Sequence, residues 1–151
     1  PVRLEDVLER NLQRLAPEAE RAGVSLTRNY ADRASLALGD PDLLYRAFLN
    51  IFNNAVQALE EQGGGKLTVS TGLSESGGQV WVTAVVEDDG PGFAPEVMNR
   101  ILEPFFTTKE QGTGLGLSIV SSIIASHQGR MDLGRSESLG GARVEVRLKA
   151  A

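Results

Sequence analysis

The strongest constraint on this chain is that its strand-forming stretches come in neighbouring pairs. Lys66 to Gly72 and Gln79 to Glu87 are rich in β-branched residues and flank the loop Ser74-Glu75-Ser76-Gly77-Gly78, which is a hairpin pattern. Arg130 to Gly134 and Arg143 to Leu148 repeat the arrangement around Gly140-Gly141. Strands that follow one another directly pair antiparallel, whereas single strands alternating with helices build a parallel sheet. The pattern predicts an α+β fold, a two-layer α/β sandwich in which helices cover one face of a mixed, mostly antiparallel sheet.

Helices occupy the intervals. Leu4, Val7, Leu8, Leu12, Leu15 and Ala19 recur at three- and four-residue steps, predicting an amphipathic helix from Leu4 to Arg21 whose last turn Pro17 weakens. Asp40-Pro41 is a helix start, an N-cap oxygen followed by a residue whose missing N–H costs nothing at the first position. The long helix it begins should reach about Glu61, where Gly63-Gly64-Gly65 stops it. Leu115 to Ser126 carries apolar residues on adjoining helical faces and predicts another helix. Val24 to Thr27 and Ser35 to Leu38 predict two short strands, and Pro95 to Leu102 a short helical piece. Glu103 to Gly112 reads as an irregular, mobile stretch. No internal repeat or low-complexity linker divides the chain, so residues 1–151 are expected to form a single domain.

Composition narrows the function. The chain has 151 residues, of which 41% are apolar, enough for one core. A net charge of -5 disfavours general attraction to nucleic acid or anionic lipid, so phosphate binding must be local. Without cysteine, and with His127 as its one histidine, the chain lacks material for thiolate or histidine-rich metal sites. No apolar run approaches the ~20 residues that span a bilayer, so a cytoplasmic protein is expected. The start at Pro1, without methionine, suggests a piece of a longer chain.

Three segments carry chemistry. The helix after Asp40 holds Asn50, Asn53 and Asn54 in its middle turns, where asparagine is a poor helix former. Asn50 and Asn54 stand at i and i+4, so their amides share a face and can offer neutral oxygens to one hard cation such as a phosphate-bound Mg²⁺; the alternative is a pair of amides in local hydrogen bonds. Asp88-Asp89-Gly90-Pro91-Gly92 ends a strand. Gly90 and Gly92 let backbone pass close to a flat ligand, and the Asp88 carboxylate can accept from an exocyclic amine such as that of adenine; a plain acidic turn is the other reading. Gly112-Thr113-Gly114-Leu115-Gly116-Leu117 runs into a helix, so free N–H groups and the positive end of the helix dipole face its loop. Neither a P-loop nor a Rossmann turn fits, because no Lys-Ser/Thr follows the last glycine and no strand precedes it.

In this order and spacing the segments resemble the nucleotide-binding motifs of the GHKL superfamily, whose ATP-binding fold is also called the Bergerat fold. Leu49 to Ala55 looks like the N box, Asp88 to Gly92 like the G1 box, Glu103-Pro104-Phe105-Phe106 like the F box and Gly112 to Leu117 like the G2 box. Pro104-Phe105-Phe106-Thr107-Thr108-Lys109, running into Gly-Thr-Gly-Leu-Gly-Leu-Ser, is most similar to bacterial sensor histidine kinases of the nitrogen-regulation type.

The resemblance implies a histidine kinase catalytic domain that binds ATP or ADP with Mg²⁺. Asp88 would receive the adenine amine, and Asn54 and Asn50 would hold the metal and serve catalysis. Gly90 and Gly92 would line the base, and Gly112, Thr113, Gly114, Leu115, Gly116 and Leu117 the phosphates. Lys109 lies in what resembles the ATP lid, as a phosphate contact or a solvated lysine, and Phe105 and Phe106 would hinge that lid. The implied partners are a dimerisation and histidine phosphotransfer domain upstream of Pro1 and a response regulator downstream. The isolated domain would be monomeric.

Two departures stand out. Many relatives place a lysine or arginine where this chain has Gln57, and often Gly-Thr where it has Gly141-Ala142. A GHKL ATPase of the gyrase, mismatch-repair or chaperone kind would carry a general-base glutamate where Asn50 stands, and an amide cannot take that proton. A regulatory module of the anti-sigma-factor type would share the fold with another partner; the Phe-Phe-Thr-Thr-Lys lid argues mildly against it. His127, beside Gln128-Gly129 and far from any acidic neighbour in sequence, reads as structural rather than as a phosphoacceptor.

Overall fold

The structure, a computed structural model, describes residues 1–31, 36–93 and 116–151. The expected helical piece at Pro95 to Leu102 and the stretch Glu103 to Gly112 lie outside the described residues. So do Ser35, Phe105, Phe106, Lys109, Gly112, Thr113, Gly114 and Leu115.

Strand β1 (Val2–Arg3) leads directly into helix α1 (Leu4–Ala22). The periodic residues Leu4, Val7, Leu8, Leu12, Leu15 and Ala19 are all buried. Pro17 does not cut the helix short. Both Pro17 and Gln13, whose carbonyl loses its helical partner to the proline, are exposed, and water can take the bond there. After β2 (Val24–Asn29), the described part of the second expected strand holds β3 (Leu36–Ala37), which pairs antiparallel with β1, Val2 opposite Ala37. Two-residue strands leave no periodicity to read.

Helix α2 (Pro41–Glu61) begins as its cap residue dictates: Asp40 Oδ1 accepts from the N–H groups of Asp42 and Leu43 at 2.9 and 3.2 Å. Its buried stripe of Leu44, Ala47, Phe48, Ile51, Phe52, Ala55, Val56 and Leu59 makes it the central helix, with α1 on one flank and α3 (Gly116–Ser126) on the other. Phe48 and Phe52 are fully buried, their ring centroids 6.5 Å apart, each contributing about 2–3 kcal/mol of burial.

The hairpin of β4 (Gly65–Ser76) and β5 (Gln79–Asp88) is longer than its sequence pattern suggests. Pairing continues to Ser76 and Gln79, so the turn is only Gly77-Gly78, with φ of 59° and 78°. Both values lie in the left-handed region that a two-residue turn of the I′ kind needs. With β6 (Arg130–Arg135) and β7 (Ala142–Lys149), the sheet order is β2-β4-β5-β7-β6; β2 and β4 are parallel and the other pairs antiparallel.

The sheet's alternation places the site. Along β5, Val82, Ala84, Val86 and Asp88 are buried toward the helices, while Trp81, Thr83, Val85 and Glu87 are part-exposed on the opposite face. Asp88 thus occupies the next core position of an otherwise apolar row, at the strand end. Among the described residues, no helix is long and apolar enough to cross a membrane.

Candidate nucleotide site

Asp88 is 4% exposed, and its carboxylate is held by backbone rather than by a cation. The N–H groups of Gly90 and Ala142 both donate to Oδ1, at 2.9 and 3.0 Å. Burial pushes the carboxyl above its ordinary range; these two hydrogen bonds oppose the shift, and the neighbouring Asp89 charge adds to it. With Oδ1 occupied twice, Oδ2 keeps acceptor capacity for a ligand. Asp89 is engaged elsewhere, its Oδ1 accepting the Lys66 N–H at 2.7 Å.

Five segments line the cleft beside Asp88. Ile51, Asn54, Ala55 and Ala58 come from α2, and Val86 with Asp88 from β5. Pro91, Gly92 and Phe93 follow β5, Leu117 comes from the first turn of α3, and Ala142 with Val144 from β7. An apolar slot with an amide and a carboxylate at fixed points suits a flat heteroaromatic base with a polar appendage. Asp88, Asn54, Gly92 and Leu117 are therefore brought together, and Gly90 joins them through its bond to Asp88. Asn50 lies one turn earlier on α2, outside this lining, its Nδ2 donating to the Arg46 carbonyl at 3.1 Å. Gln57 is exposed and also outside the lining.

Sequence reasoning marked Gly141-Ala142 only as a departure from the family's Gly-Thr and missed how Ser136 fixes the loop that presents Ala142. Ser136 is 1% exposed; its hydroxyl donates to Glu87 at 2.6 Å and accepts the Leu139 N–H at 3.1 Å, and its N–H donates to the Gly141 carbonyl at 2.8 Å. A serine in a polar turn gives no sign of such burial. Ala55 and Ala58, which leave room for a base, did carry a signal: small residues on the helix directly after the paired asparagines and one turn further on.

Residues 39–151 match the family described as histidine kinase-, DNA gyrase B-, and HSP90-like ATPase. The chain belongs to this family. Within the ATPase family, several of its relatives are sensor histidine kinases. Sensor histidine kinase ZraS of Salmonella typhimurium is 34% identical over 139 residues, covering 92% of this chain and 29% of ZraS. Sensory histidine kinase/phosphatase NtrB of Rhodobacter capsulatus is 37% identical over 136 residues, covering 85% of this chain and 38% of NtrB. Full-length ShkA, solved in complex with AMPPNP, superposes with a TM-score of 0.81 at 30% identity, covering all of this chain and 31% of ShkA. The chain thus spans less than two-fifths of each of these proteins, and this family's α/β sandwich is the fold observed here.

Proposed function

We propose that residues 1–151 form a catalytic and ATP-binding domain that binds Mg-ATP and donates the γ-phosphoryl group to a histidine on a separate, helical dimerisation domain upstream. A response regulator would be the downstream partner, in a cytoplasmic two-component system. The observation that carries this reading is the doubly anchored Asp88 carboxylate at one end of an apolar cleft that also holds Asn54. The ShkA complex with AMPPNP supports a nucleotide as the ligand.

In this reading Asp88 Oδ2 accepts the adenine amino group, while Val86, Ala142, Val144 and Ala58 exclude water from the base. The donor set fits magnesium: Asn54 and Asn50 supply neutral amide oxygens, which suit an ion whose charge the phosphates already balance. Bound Mg²⁺ would neutralise charge developing on the phosphates. Leu117 and Gly116 set the start of α3, whose dipole favours anionic oxygens, together with the Gly112 to Leu115 segment. Phosphoryl transfer relies mainly on positioning and charge stabilisation, so the acceptor histidine can reside on another domain. Asn50, unlike a glutamate, does not activate water, which favours transfer over hydrolysis.

The test combines this chain with a helical dimerisation domain of its parent protein and γ-labelled ATP. Acid-labile label on that domain is the expected result. Phosphate release without the partner would instead identify an ATPase, and neither outcome a binding module.

A further inference from the structure

The imidazole of His127 closes the end of α3 that lies farthest from the cleft. Nδ1 is 2.8 Å from the Ile123 carbonyl oxygen, and Nε2 is 3.1 Å from the backbone nitrogen of Asp40. A carbonyl only accepts and a backbone N–H only donates, so Nδ1 carries the proton and Nε2 is the acceptor. This neutral tautomer ties the last turn of α3 to the cap of α2. Gly39 makes the room: a methyl group there would come within 2.7 Å of His127 Cδ2 and 2.9 Å of Leu44 Cδ1.

Helices α2 and α3 run antiparallel, because His127 meets Asp40 at one end while Leu117 shares the cleft with Asn54 and Ala58 at the other. Interdigitating apolar side chains fix the register of the two helices to within the give of their packing, and a polar contact at one end narrows it further. The Asp40–His127 hydrogen bond is directional. The 11 residues of α3 form a rod of about 16 Å that carries this constraint to its first turn.

We propose that His127 is a positioning residue that sets how far along α2 the helix α3 sits, and thereby where Gly116 and Leu117 stand relative to Asn54. The proposal rests on the reading of the cleft as a nucleotide site. In that site the base is held chiefly from β5 and β7, at Asp88 and Ala142, with Leu117 of α3 touching the same slot, and the phosphates from the start of α3. A slip of α3 moves the phosphate half more than the base half.

The experiment is calorimetric titration of the 151-residue chain with Mg-ATP and, separately, with adenosine, alongside thermal melts. The variants are His127→Ala, His127→Gln and Gly39→Ala. His127→Ala and Gly39→Ala should weaken ATP about fivefold while adenosine stays within about twofold. His127→Gln, whose amide oxygen can accept the Asp40 N–H, should keep most of the ATP affinity. Parallel losses of ATP and adenosine would reduce His127 to a general stabiliser and overturn the proposal, as would unchanged ATP affinity in His127→Ala. If His127→Ala does not fold, the same contrast between Gly39→Ala and His127→Gln decides. A wild-type chain that binds ATP no better than adenosine defeats the phosphate reading itself, a result distinct from any variant's behaviour.

Discussion

Gly141 packs its backbone directly against Asp88. Its N–H donates to the Asp88 carbonyl at 3.1 Å, and a methyl group on its Cα would stand 2.4 Å from both Asp88 O and Asp88 Oδ1. The Ser136 hydroxyl, bonded to Glu87 at 2.6 Å, holds the approaching loop in place. Gly141→Ala should therefore force the ends of β5 and β7 apart, costing about 1–3 kcal/mol of stability. ATP affinity should fall further than the melting temperature alone accounts for, because the Ala142 N–H is pulled from the carboxylate. Calorimetry and thermal unfolding on the same variant check this; wild-type affinity would show that Asp88 does not depend on the close approach.

Asp88→Asn separates function from stability. The amide oxygen can accept from Gly90 and Ala142 as the carboxylate does, while its NH₂ group would face the amine it must recognise. The folded-state pKa of Asp88 is raised by burial. Its contribution to stability is thus fully present below the unfolded-state pKa and is lost as pH rises through the folded one. Ionised, the wild-type carboxylate is a buried charge that the variant lacks. Asp88→Asn should be at least as stable as wild type at pH 7, with the advantage shrinking on acidification, and should bind ATP about tenfold or more weakly. Denaturant midpoints across pH and a nucleotide titration measure both halves; a variant that loses stability at pH 7 contradicts the account.

Periodicity made α1, α2, the β4–β5 hairpin and the β6–β7 pair legible, because each buries one face and its apolar spacing records that face. The two-residue strands β1 and β3 were not legible as a pair, since their pairing depends on distant backbone groups. Nor was the length of the hairpin, where Ser74 to Ser76 looks like loop in composition but continues the ladder to the Gly77-Gly78 turn. In the site, Asp88 and Asn54 stood out because each is a polar residue where the pattern calls for an apolar one. Ser136 did not, and Gly141 was legible only as part of the Gly141-Ala142 departure from the family pattern, because their roles come from packing across β5 and β7, contacts 49 to 54 residues apart in sequence.

The Asp40 side chain caps two N–H groups of α2, and its own N–H donates to His127. Asp40→Ala removes the first function and keeps the second, since the backbone N–H remains. The expected loss is about 1 kcal/mol, the ordinary value of an N-cap, with the ratio of ATP to adenosine affinity unchanged. Urea unfolding gives the first number and calorimetry the second. A changed ratio would mean that the cap, rather than the imidazole, governs the register of α2 against α3.

Asn54 and Asn50 share a helix face but not an environment. Asn54 lines the cleft, whereas Asn50 stands outside its lining with its amide nitrogen bonded to the Arg46 carbonyl. That bond occupies the amide nitrogen; in the proposed reading the Asn50 oxygen would meet the metal or a metal-bound water. Magnesium requires near-ideal octahedral oxygen geometry and releases its waters reluctantly, so the residue nearer the nucleotide should matter more. Asn54→Ala should abolish the Mg²⁺-dependent part of ATP affinity and all phosphohistidine formation on an added dimerisation domain, with adenosine binding unaffected. Asn50→Ala should reduce metal-dependent transfer by about tenfold. Titrations with and without Mg²⁺ separate the two, and undiminished phosphohistidine formation in Asn54→Ala would remove that residue as a metal ligand.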